Sequence, residues 1–347
     1  MGLKIAMVSP FFNKCGIATY SEYLCRALGD LGVEVYGVKL PRFGEKTPGI
    51  LQNVVDKIPK DVSLCHIQHE YGLYQLLEKP FYAMLKLLGK PIITTVHASG
   101  YKNDGIISIN SDRVIVHNEH CSKRFGGTSV IIPHGTSPAK CPEKEDCKKA
   151  YGIDNRIPVV GYLGFISEQK GLEVLISAMT KVPNAALLLC GGWHLGEGTQ
   201  YMWDLKEKTL QVLQGRCHWT GFIPDEEVPV AYGAMDIMVY PSTFASESGA
   251  LLTALSHGKA VIASNLSPFR EKEEAGALLT FKFTEDLAEK IKFLLKNDDA
   301  RHKLEESAYK YAESVAWPVI AKLHVKLYQE VLDSVKEVVG DPVPPTQ

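Results

Sequence analysis

The sequence has no surplus of either charge. Its 38 Lys and Arg residues face 40 Asp and Glu residues across 347 positions, for a formal net charge of -2. Nothing in that total points to a polyanion such as nucleic acid. No run of about eighteen apolar residues occurs, which excludes an ordinary transmembrane helix. The opening MGLKIAMVSPFF has too short an apolar run for a signal peptide core, and Pro10 interrupts it. CxxC spacing is also missing: the eight cysteines are scattered and read as reduced, mostly buried thiols. A GxGxxG fingerprint is lacking after the first strand, so dinucleotide binding has no support there. The cytoplasm is the compartment consistent with these absences.

What is present is a repeated alternation of apolar strands and amphipathic helices. Leu3 to Ser9 reads as a strand, Ile17 to Leu31 as a one-faced helix ending at Gly32, and Val33 to Val38 as the next strand. Val62 to Ile67, Pro91 to Val96, Arg113 to His117 and Val130 to Ile132 continue the series. Such units build parallel sheets covered by helices, with ligands beyond the carboxyl ends of the strands. Gln68, His69, Glu70, His97 and Asn118 are expected around one such mouth. The charged, Pro-rich and Gly-rich segment 135–158 breaks the rhythm, which restarts at Val159 to Leu163. We therefore expect an α/β chain of two doubly wound domains, 1–150 and 151–315, then a helix over 316–340 and a disordered tail 341–347.

The stretch Phe244 to Ser264, FASESGALLTALSHGKAVIAS, carries the strongest local signal. A polar opening at Ser246, Glu247 and Ser248 leads through Gly249 into a helix that is apolar on nearly every side, as a buried helix is. Ser246 or Ser248 can cap its start, and Gly258 stands where a left-handed residue ends a helix. Backbone N–H groups at such a glycine opening suit an anion, with phosphate the obvious candidate. The plain alternative is a polar loop capping a core helix. Lys170, between a strand ending at Gly164 and the next helix, offers an ammonium that can reach a phosphate at a neighbouring helix start.

Several local sequences occur in a telling order: Gly16 to Tyr20, Thr95 to His97, Ile131 to Gly135, Gly164 through Lys170-Gly171, Gly221 to Pro224, and His257 to Ser264. Together they resemble a GT-B glycosyltransferase of the large retaining family 4, the glycosyl transferases group 1. The resemblance spans nearly the whole chain and implies two Rossmann-like domains facing a central cleft. The terminal helix would cross back to the first domain. It implies that 1–150 binds the acceptor and 151–315 a nucleotide diphosphate sugar, UDP- or GDP-linked, with no obligatory metal. Lys170 and the N–H groups of Gly249 and Ala250 would contact the diphosphate, with Ser248 beside them. Gly16 would let the first-domain loop approach the phosphates. His97 matches the family histidine near the transferred sugar, and Phe222 and Ile223 would lie beside the nucleobase. The chain departs from the family at three positions. Phe165 stands in place of an arginine, and Ala245 and Thr253 in place of two glutamates. Thr253 retains a hydroxyl for a ribose oxygen, and Glu247 is the substitute for holding sugar hydroxyls.

His66 and His69, three positions apart in a strand and its exit, point to opposite faces and make a poor metal pair. A structural or acceptor-side role is expected for His69, Glu70 and Asn118. The patch of Lys123, Arg124, Lys140, Lys144, Lys148 and Lys149 leaves a peripheral membrane contact open, with a solvated surface as the default. Expected partners are the donor and a glycan, lipid-linked or small-molecule acceptor; the oligomeric state stays open. Two other functions compete with hexosyl transfer. One is a non-catalytic nucleotide-binding partner subunit; the other is a nucleotide-sugar epimerase, for which Glu70, Glu119 and Glu247 are poor candidate carboxylates.

Overall fold

A computed structural model describes residues 2–339 apart from 14, 42, 43, 45 and 193–198. The tail 341–347 and the final position of the helix expected over 316–340 lie outside the described residues. The chain divides into two compact units, one from the described residues of Met1–Gly135 and Val315–Gln347, the other from those of Thr136–Ser314.

The first unit runs β1 (Lys4–Ser9), α1 (Gly16–Asp30), β2 (Glu34–Lys39), α2 (Pro48–Val55), β3 (Leu64–His69), α3 (Tyr71–Tyr74), α4 (Glu78–Lys86), β4 (Ile92–Val96), α5 (Asp104–Asn110), β5 (Arg113–Val116), α6 (Glu119–Ser122) and β6 (Ser129–Ile131). The second continues with α7 (Lys144–Ala150), β7 (Val159–Leu163), α8 (Leu172–Thr180), β8 (Ala186–Cys190), α9 (Thr199–Leu213), β9 (Cys217–Gly221), α10 (Val228–Ala234) and β10 (Ile237–Tyr240). It ends with α11 (Gly249–Ser256), β11 (Ala260–Ser264), α12 (Ser267–Glu274), β12 (Leu279–Phe281), α13 (Thr284–Lys296) and α14 (Asp298–Ser314). The last helix, α15 (Trp317–Val339), belongs to the first unit and packs on α1.

Each unit holds a six-stranded parallel sheet, in the orders β2-β1-β3-β4-β5-β6 and β12-β11-β10-β7-β8-β9. The strands β1, β3, β4, β7 and β8 are buried along almost their whole length, as strands covered by helices on both faces must be. The chain reverses its direction of travel across the sheet between β1 and β3 in the first unit and between β7 and β10 in the second. Such reversals open a crevice beyond the carboxyl ends of the two strands. Ser9 and His69 end the strands at the first crevice, and Leu163 and Tyr240 at the second.

Segment 136–158 falls in the second unit, whereas a division near 150 was expected. The cause is electrostatic as much as apolar. Asp236, at the foot of β10, accepts from Val159 N at 2.8 Å and from Lys144 Nζ, with Lys148 Nζ at 3.4 Å. These bonds tie α7 to the start of β7 and β10. After Pro224 the chain makes a 3₁₀ turn at Asp225–Glu227, and α10 starts at Val228.

Candidate functional site

The second crevice is built from backbone before side chains. After β7 the chain makes a 3₁₀ turn, Glu168–Lys170, and stops it at Gly171 with φ +61°. A Cβ on Gly171 would stand 2.3 Å from Pro241 O, so only glycine permits this close approach to the loop after β10. Thr243 N donates to Gln169 O at 2.9 Å and pins the same two segments together. Lys170 is thereby fixed beside the loop that leads into α11. Its ammonium makes no hydrogen bond or ion pair to a described residue, and burial lowers its pKa below the ordinary lysine value. A half-buried cation without a counter-ion is a group prepared for an anion.

The start of α11 supplies the second half. Ser248 caps the helix, its Oγ accepting from Leu251 N at 3.3 Å. Ser248 O takes Leu252 N at 3.0 Å. The N–H groups of Gly249 and Ala250 are left without an acceptor among the described residues, at the positive end of the helix. Two buried tyrosines hold this turn by its carbonyl: Tyr240 OH and Tyr232 OH donate to Ala250 O at 2.9 and 3.3 Å. Gly164 lies directly beside it, since a Cβ there would touch Ala250 Cβ at 3.5 Å. Gly191, at the end of β8, would drive a Cβ to 1.9 Å from Gly164 O. The ends of β7 and β8 and the start of α11 therefore close on one another, and Gly258, at φ +62°, terminates the region of α11 as a left-handed residue should.

Two side chains expected here are committed elsewhere. Glu247, assigned to sugar hydroxyls, has a carboxylate that is 6% exposed: Oε2 accepts from Lys272 Nζ at 2.8 Å and Oε1 from Ser248 N at 2.8 Å. It anchors the loop to α12 instead of facing a ligand. Burial opposes charge on Lys272, yet the Glu247 carboxylate outweighs it and the lysine's pKa is raised. Thr253 Oγ1 donates to Gly249 O at 2.8 Å, so its proton is spent on its own helix and only lone pairs remain for a ribose. Of the nucleobase pair, Phe222 is 59% exposed after Gly221, while Ile223 is buried in the core and offers no side chain. Phe165 accepts a hydrogen bond from Tyr162 OH at its carbonyl, at 2.6 Å.

In the first unit, Gly16 is the exposed first residue of α1, next to the cap Cys15, whose Sγ accepts from Ala18 N at 3.4 Å. A Cβ at Gly16 meets nothing within 4 Å, so no neighbour in the fold demands glycine there. His97 leaves β4 half-buried. Its backbone N–H bonds His69 O at 3.0 Å, and its ring lies edge-on to Tyr20 at 4.8 Å and 5.3 Å from His117. Burial first, then the neighbouring histidines, hold its pKa well below the usual imidazole range, so it is neutral at pH 7.

Three acceptor-side expectations need correction or narrowing. His69 is fully buried, stacked on Tyr74 at 4.5 Å and edge-on to Tyr71, with its pKa pushed down to about 3 by burial. It is a core ring, 3.7 Å from the equally buried Glu78. Asn118 is buried and caps α6, its Oδ1 accepting from Cys121 N at 3.0 Å. Glu70 remains half-buried at the start of α3, with its carboxylate folded over Gly72. Among the described residues no group of three His, Cys, Asp or Glu side chains is placed to hold a metal ion. None of the described helices is long and apolar enough to cross a membrane.

Residues 143–311 match the family model described as glycosyl transferases group 1. Among curated relatives, D-inositol 3-phosphate glycosyltransferase of Corynebacterium urealyticum is 24% identical over 246 residues, covering 66% of this chain and 57% of that protein. Phosphatidyl-myo-inositol mannosyltransferase of Mycolicibacterium smegmatis is 24% identical over 374 residues, covering 95% of this chain and 94% of that protein. The chain thus spans little more than half of the first relative's length and nearly all of the second's. Among solved structures, Anabaena HepE in complex with UDP-glucose aligns with a TM-score of 0.74 at 17% identity, over 96% of this chain and 100% of that one. The two parallel sheets and these neighbours establish the GT-B fold.

Sequence reasoning missed Lys272 and the tyrosine pair Tyr232 and Tyr240. Lys272 sits in a charged run that reads as a solvated helix face. The tyrosines carried a usable signal: Tyr240 closes a short buried strand, and a phenol at such an end needs an acceptor.

Proposed function

We propose that the chain is a glycosyltransferase that moves a hexose of the mannose or glucose type from a nucleoside diphosphate donor, UDP- or GDP-linked, to an acceptor hydroxyl with retention at the anomeric carbon. The observation that carries the reading is the Lys170 ammonium, without a partner among the described residues, on a turn pinned to the loop that leads into α11, whose Gly249 and Ala250 N–H groups have no acceptor among the described residues. The leaving group is a diphosphate, and the help it needs is neutralisation of growing charge. Lys170 and the α11 terminus would supply it. With Glu247 held by Lys272, no carboxylate of this loop is available as a nucleophile, which favours same-face transfer in which the departing phosphate takes the acceptor's proton.

Phe222 would cover the base. The relative named for a phosphatidylinositol acceptor, and the one named for an inositol phosphate, support an acceptor that is a polyol or lipid-linked glycan precursor. A peripheral membrane contact would accompany a lipid-linked acceptor. Incubation of the chain with a panel of nucleotide sugars and a mixed acceptor pool, read by mass spectrometry, tests this. A glycosylated acceptor with release of nucleoside diphosphate is expected, and no product from any donor would overturn it.

The committed Glu247 and Thr253 favour one second reading, a nucleotide-binding partner subunit without turnover. It predicts tight binding of a nucleoside diphosphate and no product in the same screen.

A further inference from the structure

A line of buried polar contacts runs through the first unit from α15 to His97. Tyr328 OH lies 2.6 Å from His66 Nδ1, and His66 Nε2 lies 2.7 Å from Thr95 Oγ1. Gln68 follows on the same strand: its Nε2 is 3.1 Å from Met7 Sδ and 3.4 Å from His66 Nε2, and its Oε1 is 2.8 Å from His97 Nε2. Tyr328, His66, Thr95, Gln68 and Met7 are all fully buried. The polarity of the line follows from chemistry. A turned amide would set its carbonyl oxygen against the thioether sulfur, lone pair on lone pair, and would lose the N–H to sulfur contact. Gln68 Oε1 therefore faces His97, and an amide oxygen only accepts. His97 must carry its proton on Nε2, and its Nδ1 makes no hydrogen bond to a described residue.

We infer that Gln68 is a positioning residue that holds His97 in its Nε2–H tautomer and so presents the Nδ1 lone pair as an acceptor to a substrate hydroxyl. The inference rests on the proposed function and on the reading, implied by the resemblance, of His97 as a residue near the transferred sugar. In that role an accepting nitrogen orients a sugar or acceptor O–H, whereas the other tautomer would present a donor. The tautomer of a buried imidazole is set by the bond its other nitrogen makes, and Gln68 makes that bond.

The test uses the full chain with ¹⁵N-labelled histidine at neutral pH and long-range ¹H–¹⁵N correlation, with the His97 signals identified by their loss in His97→Gln. Wild type should show His97 protonated at Nε2 and bare at Nδ1. A protonated Nδ1, or an even mixture, overturns the inference with no variant needed. Gln68→Glu keeps an acceptor and should keep the tautomer; Gln68→Leu removes it and should give a mixture. Turnover of Gln68→Leu should fall on the order of tenfold or more, with nucleoside diphosphate affinity unchanged. Should Gln68→Leu fail to fold, the wild-type and Gln68→Glu spectra still decide. The expected tautomer without transfer from any donor would overturn the functional reading and leave the positioning of His97 by Gln68 in place.

Discussion

Lys272 Nζ stands 2.8 Å from Oε2 of Glu247, and the two side chains are 4% and 6% exposed. The pair joins α12 to the loop before α11, and with Ser248 N on the other carboxylate oxygen it sets the direction in which the first N–H groups of α11 point. The one acidic side chain of the loop is thus a support for the anion site and no part of its lining.

Breaking this pair from one side leaves a buried charge unpaired. Glu247→Gln and Lys272→Met should each lower stability by roughly 3–5 kcal/mol, and the double variant should recover much of the loss. Urea unfolding of the three variants measures it. Titration should show Glu247→Gln losing affinity for a nucleoside diphosphate and its sugar conjugate alike. Normal stability with selective loss of the sugar conjugate would return the carboxylate to the sugar.

Gly16 separates ligand need from fold need. Because no described atom lies within 4 Å of a Cβ built there, Gly16→Ser should leave the unfolding free energy within about 0.5 kcal/mol of wild type. Turnover should nevertheless fall if Gly16 serves the ligand, as the resemblance implies. Wild-type kinetics for this variant would remove Gly16 from the site.

The strands were readable almost residue by residue. Val159–Leu163 and Ala186–Cys190 begin and end where their apolar runs do, because Pro158 and Gly164 punctuate one and the polar turn before Ala185 marks the other. Position relative to the sheet was readable too, and it placed His69, His97, Asn118, Lys170 and Gly249 at carboxyl ends of strands. Side-chain direction was not. His69 and His97 leave neighbouring strands, yet only the packing of Tyr71 and Tyr74 over His69 turns it into core. The partner of Glu247 lies 25 residues away on another helix, and no local pattern reports such a pair. Helix α2 escaped notice because Pro48 and Gly49 open it and read as loop; Thr47 caps it, its Oγ1 accepting from Ile50 N at 3.3 Å.

Acid should unfold the protein through its buried imidazoles. His66, His69, His97 and His324 all have pKa values lowered by burial, to about 3 for His69 and about 4 for His324. The unfolded chain binds protons near the ordinary value of 6.5 while the folded chain resists them. The stability they confer is therefore full above pH 6.5 and is lost as pH falls toward 4 and 3, by up to about 1.4 kcal/mol per pH unit for each group. Urea midpoints should be nearly level between pH 7.5 and 6.5 and decline steadily from there to pH 4.5. A flat profile across that window would show that these rings take up protons as readily in the folded chain as in the unfolded one.

The central claim is that Lys170 and the start of α11 hold a nucleoside diphosphate. Calorimetric titration of the full chain and of Lys170→Ala with UDP, GDP and the matching monophosphates tests it most directly. Lys170 Nζ has no partner to lose among the described residues, so the variant should fold with wild-type stability. Wild type should bind one of the diphosphates more tightly than its monophosphate, and Lys170→Ala should erase most of that difference, at least about 1.5 kcal/mol for a charge-assisted contact. Equal affinity of wild type and Lys170→Ala for the diphosphate, or no binding of either diphosphate by wild type, would contradict the account.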